Sequence, residues 1–434
     1  MKIIADLHLH SKYSRAVSSQ MVFPQMAEWA RLKGIDLLGT SDFTHPLWLR
    51  EAKTFLEEAG EGIYQVKGTA PPGGPKFIFS TEVACIFKQG EKGRRIHLVI
   101  LAPSLEVVEK INLSLAGRGV NLLSDGRPIM GMSARNFTEI VLSVSEDALV
   151  IPAHCWTPWF SLFGSESGFD SLEECFGDLS PYIYGVETGL SSSPAENWRL
   201  SQLDQCQILS FSDAHSPAKM GREVTVFDLE EVSYKNVLAA IKGKEKAKIL
   251  STIEFYPEEG KYHWTGHRNC KVCQSPKETK RLGSVCPVCG RKLTIGVMHR
   301  VETLADRPPE SKEEISSSGL RLIKDPKGKR PPFVMMVPLL EILTEALGFQ
   351  SASQKVVAEY HRLVENFQGE FNVLLKVPFS ELEKITSAPV VEAIKKVRGG
   401  EIVVEPGYDG VFGVVKIWQE EKKKEKETEQ ISLF

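Results

Sequence analysis

Apolar runs long enough to cross a bilayer are missing from this 434-residue sequence. A secretory leader is missing too, because "MKIIADLHLH" passes directly into polar, histidine-rich residues. From these absences we expect no membrane-spanning helix and a cytoplasmic protein. No sign of charge dominates: 53 Lys and Arg stand against 56 Asp and Glu, a net charge of −3. That excludes a chain basic along its whole length and leaves room for local patches. Cysteine is scarce, with eight in all. Cys85, Cys155, Cys175 and Cys206 are scattered, so no disulfide framework is indicated and a reduced compartment is implied. No serine or cysteine sits in a recognisable nucleophile elbow, which sets aside a covalent route of that kind.

What is present in the first half is a set of seven short runs rich in Ile, Leu, Val or Phe. They are "MKIIADLHLH" (1–10), "IDLLGTSDFTH" (35–45), "KFIFSTEVA" (76–84), "RIHLVILA" (95–102), "ALVIPAHC" (148–155), "YGVETG" (184–189) and "ILSFSDAH" (208–215). Short apolar runs of this kind are what strands buried on both faces look like. Helical patterns such as "PLWLREAKTFLEEAG" and "SARNFTEIVLSV" lie between them, the first opening on Pro46. Alternating strand and helix predicts a parallel sheet closed into a barrel over residues 1–250.

The runs end in or near His8, His10, Asp42, His45, Glu82, His154, Glu187, Asp213 and His215, and His97 lies within its run. Of ten histidines in the chain, six fall in these seven segments. A parallel barrel gathers its strand ends on one face. Imidazoles and carboxylates gathered there are ligands for divalent ions such as Zn²⁺ or Mn²⁺. One such histidine alone would be an ordinary hydrogen-bonded core residue; six with several carboxylates are not explained by packing.

The ordered motifs "DLHLHS", "SDF", "STE", "IHL", "PAHC" and "FSDAHSP" resemble those of the polymerase-and-histidinol-phosphatase (PHP) superfamily. The resemblance implies a distorted (β/α)7 barrel holding two or three divalent metal ions, Zn, Mn or Mg, for phosphoester hydrolysis. It implies His8, His10, Glu82, His97, His154, Asp213 and His215 as ligands, with catalysis resting on Asp213, Glu82 and His154. Two positions depart from the superfamily pattern. Arg15 stands in "SKYSRA" where an acid is usual, and Phe43 stands where a histidine is usual. Asp42 or His45 is then the expected substitute at a third metal.

Residues 251–306 carry Cys270, Cys273, Cys286 and Cys289, two CxxC pairs with the spacing of a structural tetrahedral Zn²⁺. Residues 261–300 hold nine Lys or Arg against the single acid Glu278. A basic knuckle beside a phosphoesterase barrel points to a polyanion, with Lys271, Lys277, Lys280 and Arg281 as contacts. The plain alternative is a staple whose charge only faces water. After a Pro- and Ser-rich stretch read as a linker (307–319), an α+β region over 307–418 is expected. It would hold helices at 338–348, 354–367 and 390–400 and a hairpin about "PGYDG". Lys395, Lys396 and Arg398 are candidates for phosphate contact or a solvated helix face.

Barrel, knuckle and a terminal "PGYDGVFG", in that order, are similar to the endonuclease Q family, whose members also carry "YSRA" and "SDFTHP" in place of the general motifs. That resemblance implies cleavage of DNA on the 5′ side of deaminated bases (uracil, hypoxanthine, xanthine) or abasic sites, and a nucleoid-associated location. Reading a damaged base requires its extrusion from the stack. Trp156, Trp159 and Phe160, directly after His154, are the aromatic candidates for stacking or wedging. Residues 419–434 are expected to be a disordered charged tail. It ends in "QISLF", and Gln430, Ile431, Leu433 and Phe434 resemble the peptide by which bacterial proteins hold the sliding clamp. Two other readings compete: a PHP phosphatase for a small phosphomonoester, and a DNA- or clamp-binding adaptor with an inactive barrel.

Overall fold

The computed structural model describes residues 1–68, 74–244 and 247–419. All seven apolar runs form strands: Lys2–Asp6, Leu37–Gly39, Lys76–Gln89, Lys92–Ala102, Leu149–Pro152, Gly185–Glu187 and Gln207–Leu209. The first three pair in parallel, with Ala5 opposite Leu37 and Leu37 opposite Lys76. The last two pair in parallel as well. The expected all-parallel sheet breaks in the middle. Only Gly90 and Glu91 join Lys76–Gln89 to Lys92–Ala102, too few residues for a crossover helix. The two strands therefore form a long antiparallel hairpin, with Gly90 at φ +60° in its turn. Leu149–Pro152 adds to it antiparallel. The product is the distorted PHP-type α/β barrel. Ile3, Ala5, Leu37, Ile78, Val99 and Ile151 fill its interior. A packed interior leaves the strand ends as the floor of any site.

Helices cover the barrel as the pattern predicts, with one early stop. Ala134–Val144 is capped by Ser133, whose hydroxyl accepts from the Asn136 N–H. The helix starting at Pro46 ends at Phe55, and Leu56–Gly60 turns into a strand against Ile63–Val66. Lys67, just beyond that partner strand, donates through Nζ to the carbonyls of Lys53 and Thr54 at 2.9 Å each. A cation on the last carbonyls closes the helix there.

The sheet does not stop at residue 250. Val224–Asp228 lies antiparallel to the first strand, followed by Lys248–Glu254, Phe333–Met335, Arg321–Lys324 and Lys312–Ile315. One sheet thus runs through the boundaries expected at 250 and 306. The stretch read as a linker supplies the edge strand, and its Glu313 and Glu314 pair with Arg321 and Lys324 of the neighbouring strand. Charges on an edge strand discourage further pairing, and they also hid the strand in the sequence. Beyond it come the helices Leu339–Leu347, Gln354–Asn366 and Ala388–Gly399, then the antiparallel pair Val403–Glu405 and Val414–Lys416. Arg398 is not a phosphate contact. It is 1% exposed and donates to the carbonyls of Val373, Leu374, Val377 and Ser318. The clamp-like residues 430–434 lie outside the described residues. Among the described residues no helix is long and apolar enough to cross a membrane.

A buried ion pair ties the C-terminal helices to the barrel. Lys33, at the end of the helix Phe23–Lys33, places Nζ 2.9 Å from Glu370 Oε2. Tyr360 Oη donates to the same oxygen at 2.9 Å, and the Leu339 N–H donates to Oε1 at 2.9 Å. Glu370→Ala would strand the Lys33 ammonium in the core. The expected loss is roughly 3–5 kcal/mol, read from the urea midpoint. A loss under about 1 kcal/mol would mean that water reaches the pair.

Candidate metal centre

The strand ends bring five side chains together around one carboxylate. Glu82 and His97 lie on the same face of the long hairpin, because Glu82 opposes Val99 and Ala84 opposes His97. Glu82 Oε1 is 2.7 Å from His97 Nδ1 and 3.2 Å from His154 Nε2, and those two nitrogens are 3.2 Å apart. Glu82 Oε2 is 3.2 Å from His10 Nε2 and 3.6 Å from His8 Nε2. Asp213 Oδ1 closes this second group, 2.9 Å from His10 Nε2 and 3.7 Å from His8 Nε2. Two clusters result, His8–His10–Glu82–Asp213 and Glu82–His97–His154, sharing Glu82.

The donor set fits divalent cations. His8 Nε2, His10 Nε2 and Asp213 Oδ1 are buried and make no hydrogen bond, although they crowd together. Buried polar atoms without partners are costly. A cation at bond lengths of about 2.0–2.2 Å would satisfy all three and leave them roughly 3–3.5 Å apart.

Two further carboxylates hold the imidazoles in place. Glu187 takes His8 Nδ1 at 2.9 and 3.0 Å and also accepts the His154 backbone N–H at 2.9 Å. Asp42 lies 3.4 Å from His10 Nδ1. Carboxylate–imidazole pairs of this kind fix ring orientation and leave the other nitrogen for a metal. Asp42 is therefore placed as an orienting residue, not as the substitute ligand expected from the sequence. Its Oδ2 is taken by the Ser11 N–H, the Ser11 hydroxyl and the Ser14 hydroxyl at 2.6–2.8 Å. His45 is not in either cluster; it stacks on Tyr13 at 4.5 Å as the residue before the helix at Pro46. Phe43 is buried in the core. His215 lies beside His10, ring centroids 4.7 Å apart, with Nδ1 on the Asp213 carbonyl at 2.8 Å, but outside both clusters. Among the described residues there is no third cluster at this mouth.

The backbone bends sharply to make the site. Asp42, His154 and Asp213 all have positive φ, at 37°, 29° and 47°. Non-glycine residues persist there only when the surroundings over-determine them. Gly189 is one cause: a Cβ at that position would lie 2.4 Å from His154 Cβ. Burial opposes charge on Glu82, yet His97, Arg127 and His8 hold its carboxyl well below the usual range. Asp213 is likewise held low against burial by His8 and His10. Burial pushes His97 down to about 4, against the opposing pull of Glu82. Arg127 Nη1 sits 3.0 Å from Glu82 Oε2, a guanidinium at the mouth that sequence reasoning missed because it lies on no strand. Glu187 did carry a signal, as an acid ending an apolar run.

The family model described as "PHP-associated" matches residues 207–245, and that described as "MJ0043 C-terminal domain" matches residues 338–401. Two solved structures are similar over nearly the whole chain. One is the lesion-specific endonuclease PfuEndoQ from Pyrococcus furiosus, 31% identical at TM-score 0.81, covering 96% of this chain and 95% of that one. The other is an Endonuclease Q complex with a 27-mer duplex substrate bearing an abasic lesion at the active site, also 31% identical at TM-score 0.81, covering 96% and 97%. This chain belongs to the endonuclease Q family. Uncharacterized proteins are similar too. MJ0043 of Methanocaldococcus jannaschii is 30% identical over 269 residues, 60% of this chain, and the match spans about a third (31%) of that protein's length. YqxK of Bacillus subtilis is 26% identical over 434 residues, 96% of this chain and 99% of that one.

In this endonuclease Q chain the knuckle forms at the two CxxC pairs, and a histidine joins the side chains that converge there. The cluster is His267, Cys270, Cys286 and Cys289. The strands Thr265–His267 and Val272–Gln274 pair antiparallel with Cys273 opposite Gly266. Adjacent residues on a strand face opposite sides, so Cys273 points away from His267. Its side belongs to Tyr408, whose ring would lie 2.5 Å from a Cβ at Gly266. His267 precedes Cys270 by the same spacing that separates Cys270 from Cys273, a signal that the CxxC pattern overshadowed. Against burial, backbone N–H groups of Cys289 and Val288 and the His267 side chain bring Cys286 down to about 6, and His267 Nδ1 is 3.4 Å from Cys289 Sγ.

Lys271, Lys277, Lys280 and Arg281 are exposed, as a phosphate-contacting face requires. Trp156 is not free to stack on a base: it is 0% exposed, packs on Phe163 and donates through Nε1 to Asn197 at 2.8 Å. Trp159 is half-buried, edge-on to Tyr262 at 5.4 Å, and Phe160 packs on His97 at 4.8 Å. The ligand set makes a direct prediction. His267→Ala should lower bound zinc and the thermal midpoint together, since structural zinc supplies folding energy, while Cys273→Ser keeps the metal. Zinc lost from the Cys273 variant and retained by the His267 variant would reverse the assignment.

Proposed function

We propose that this protein is a DNA repair endonuclease that hydrolyses the phosphodiester on the 5′ side of a deaminated base or abasic site. The observation that carries the reading is the pair of imidazole–carboxylate clusters sharing Glu82 at the mouth of a PHP-type barrel. Similarity to lesion-specific endonucleases over nearly the full chain supports it. His8, His10, Asp213 and Glu82 would hold one divalent ion, and His97, His154 and Glu82 a second. We propose Zn²⁺, Mn²⁺ or Mg²⁺ at these sites. Bound there, such ions polarise phosphoryl oxygens and make water acidic enough to attack near neutral pH. Glu187 and Asp42 keep the His8 and His10 rings aimed. Arg127 keeps Glu82 ionised and adds positive charge where the phosphodiester must approach. The exposed knuckle lysines and arginines carry the flanking backbone, and the expected site of action is the cytoplasmic nucleoid.

A phosphatase acting on a small phosphomonoester would use the same clusters but leaves the basic knuckle and the C-terminal third without a task. An inactive adaptor would have no reason to keep all six ligand side chains. The test is purified protein with Mn²⁺, Mg²⁺ or Zn²⁺, offered uracil, hypoxanthine and abasic duplexes and a phosphomonoester. Nicking 5′ of the lesion is expected. Asp213→Asn should fold normally and lose about a hundredfold or more in nicking, since an amide is a poor ligand. Near-normal nicking by that variant at saturating metal refutes metal hydrolysis here.

The terminal "QISLF" extends the proposal to a partner. Gln430 would hydrogen-bond at the edge of a sliding-clamp groove while Ile431, Leu433 and Phe434 fill its apolar pockets, tethering the nuclease at newly made DNA. Deleting residues 430–434 should abolish capture by the bacterial clamp and leave nicking of a free oligonucleotide unchanged. Undiminished clamp binding by the truncated chain would refute the tether.

A further inference from the structure

Trp156 is buried, and Trp159 and Phe160 are half-buried against Tyr262 and His97, so none of these three rings stands free at the surface. A different aromatic is offered at the surface. Phe412, in the loop between the strands Val403–Glu405 and Val414–Lys416, is 64% exposed, and Val411 beside it is 40% exposed. Nothing in the fold uses this ring as core. The loop that presents it is nevertheless fixed. Backbone N–H groups of Gly407, Gly413 and Gly410 donate to the carbonyls of Glu258, Glu259 and Lys261 at 2.8–3.0 Å. The Asp409 carboxylate accepts the Arg268 N–H at 2.7 Å and the Thr294 hydroxyl at 2.6 Å. Gly407 and Gly413 permit this closeness: a Cβ on either would lie within 2.6 Å of neighbouring backbone.

The surroundings are cationic. Lys261 Nζ lies over the Phe412 ring, 4.4 Å from its centroid. The Arg268 guanidinium approaches Gly410 of the same loop, within 3.1 Å of where a Cβ would sit. The supporting segment touches the loop after His154 and the turn after Glu187. Tyr262 meets Trp159 edge-on, and Gly260 packs toward the Leu190 carbonyl, one residue from Gly189 beneath His154. An exposed ring on a rigid loop, flanked by two cations, suits insertion between bases whose phosphates those cations hold.

We propose that Phe412 is the wedge of this enzyme: it enters the base stack of a DNA duplex beside the lesion and holds open the gap left by the displaced nucleotide. The proposal rests on the endonuclease reading above. It is tested with uracil in a duplex, and in the same strand alone, with 2-aminopurine next to the uracil as a probe of stacking. Phe412→Ala should lower the ratio of duplex to single-strand nicking by roughly tenfold, the worth of about one base–aromatic stack. It should also blunt the rise in 2-aminopurine fluorescence when the metal-loaded protein binds the duplex. Phe412→Trp should restore both. An unchanged ratio in Phe412→Ala, or an equal loss on both substrates, overturns the wedge while leaving the nuclease intact. Wild-type protein that nicks neither substrate overturns the endonuclease reading first, and the wedge with it.

Discussion

The structure turns on one buried carboxylate. Glu82 is fully enclosed and held ionised, and an uncompensated charge there would cost several kcal/mol. Its neighbours remove that cost only because each arrives from a different part of the barrel. The hairpin 76–102 supplies Glu82 and His97 together, so their spacing is set by strand register. His8 and His10 come from the end of the first strand, His154 from the end of Leu149–Pro152. Arg127 comes from a loop between helices. Shift any of these elements by one residue and a polar partner leaves the carboxylate.

Neither departure, at Arg15 or at Phe43, brings a donor to this centre. Arg15 is exposed, and Phe43 is buried in the core with its N–H on the Ser80 carbonyl. With neither offering a ligand, Asp42 is free to turn toward His10, and Ser11 and Ser14 saturate its remaining oxygen. Gly126 makes room, since a Cβ there would fall 2.3 Å from that oxygen. Asp42 and Glu187 thus stand in parallel roles on His10 and His8.

Much of this was legible in the sequence. The seven runs became the seven barrel strands, and His8, His10, Glu82, His97, His154 and Asp213 converged as strand ends must in such a barrel. What stayed hidden was set by burial and by facing. Trp156 and Arg398 look like surface tools in a string of letters, yet one fills the core and the other ties down four carbonyls. Cys273 has the right spacing and the wrong face of a two-stranded ribbon, while His267 has both. The edge strand at 312–315 was masked because charge, the feature that protects an edge, reads as linker.

The knuckle and the catalytic mouth are mechanically continuous. The chain after His154 runs through Trp156, Trp159 and Phe163 before returning to the barrel, and the knuckle region holds that excursion. Arg300 donates to the carbonyls of Phe163 and Phe169 at 2.9 and 3.0 Å, and the Ser165 hydroxyl donates to the Ile295 carbonyl at 3.0 Å. Tyr262 braces Trp159. Thr157, inside the same excursion, places its hydroxyl 3.3 Å from His154 Nδ1. A ligand ring is therefore positioned from one side by Glu187, through the His154 backbone, and from the other by a loop whose geometry depends on the knuckle staying folded. Structural zinc in such a module supplies folding energy directly. Its loss would remove the contacts that hold this loop, so the setting of His154 against Glu82 is tied to the folded state of the knuckle.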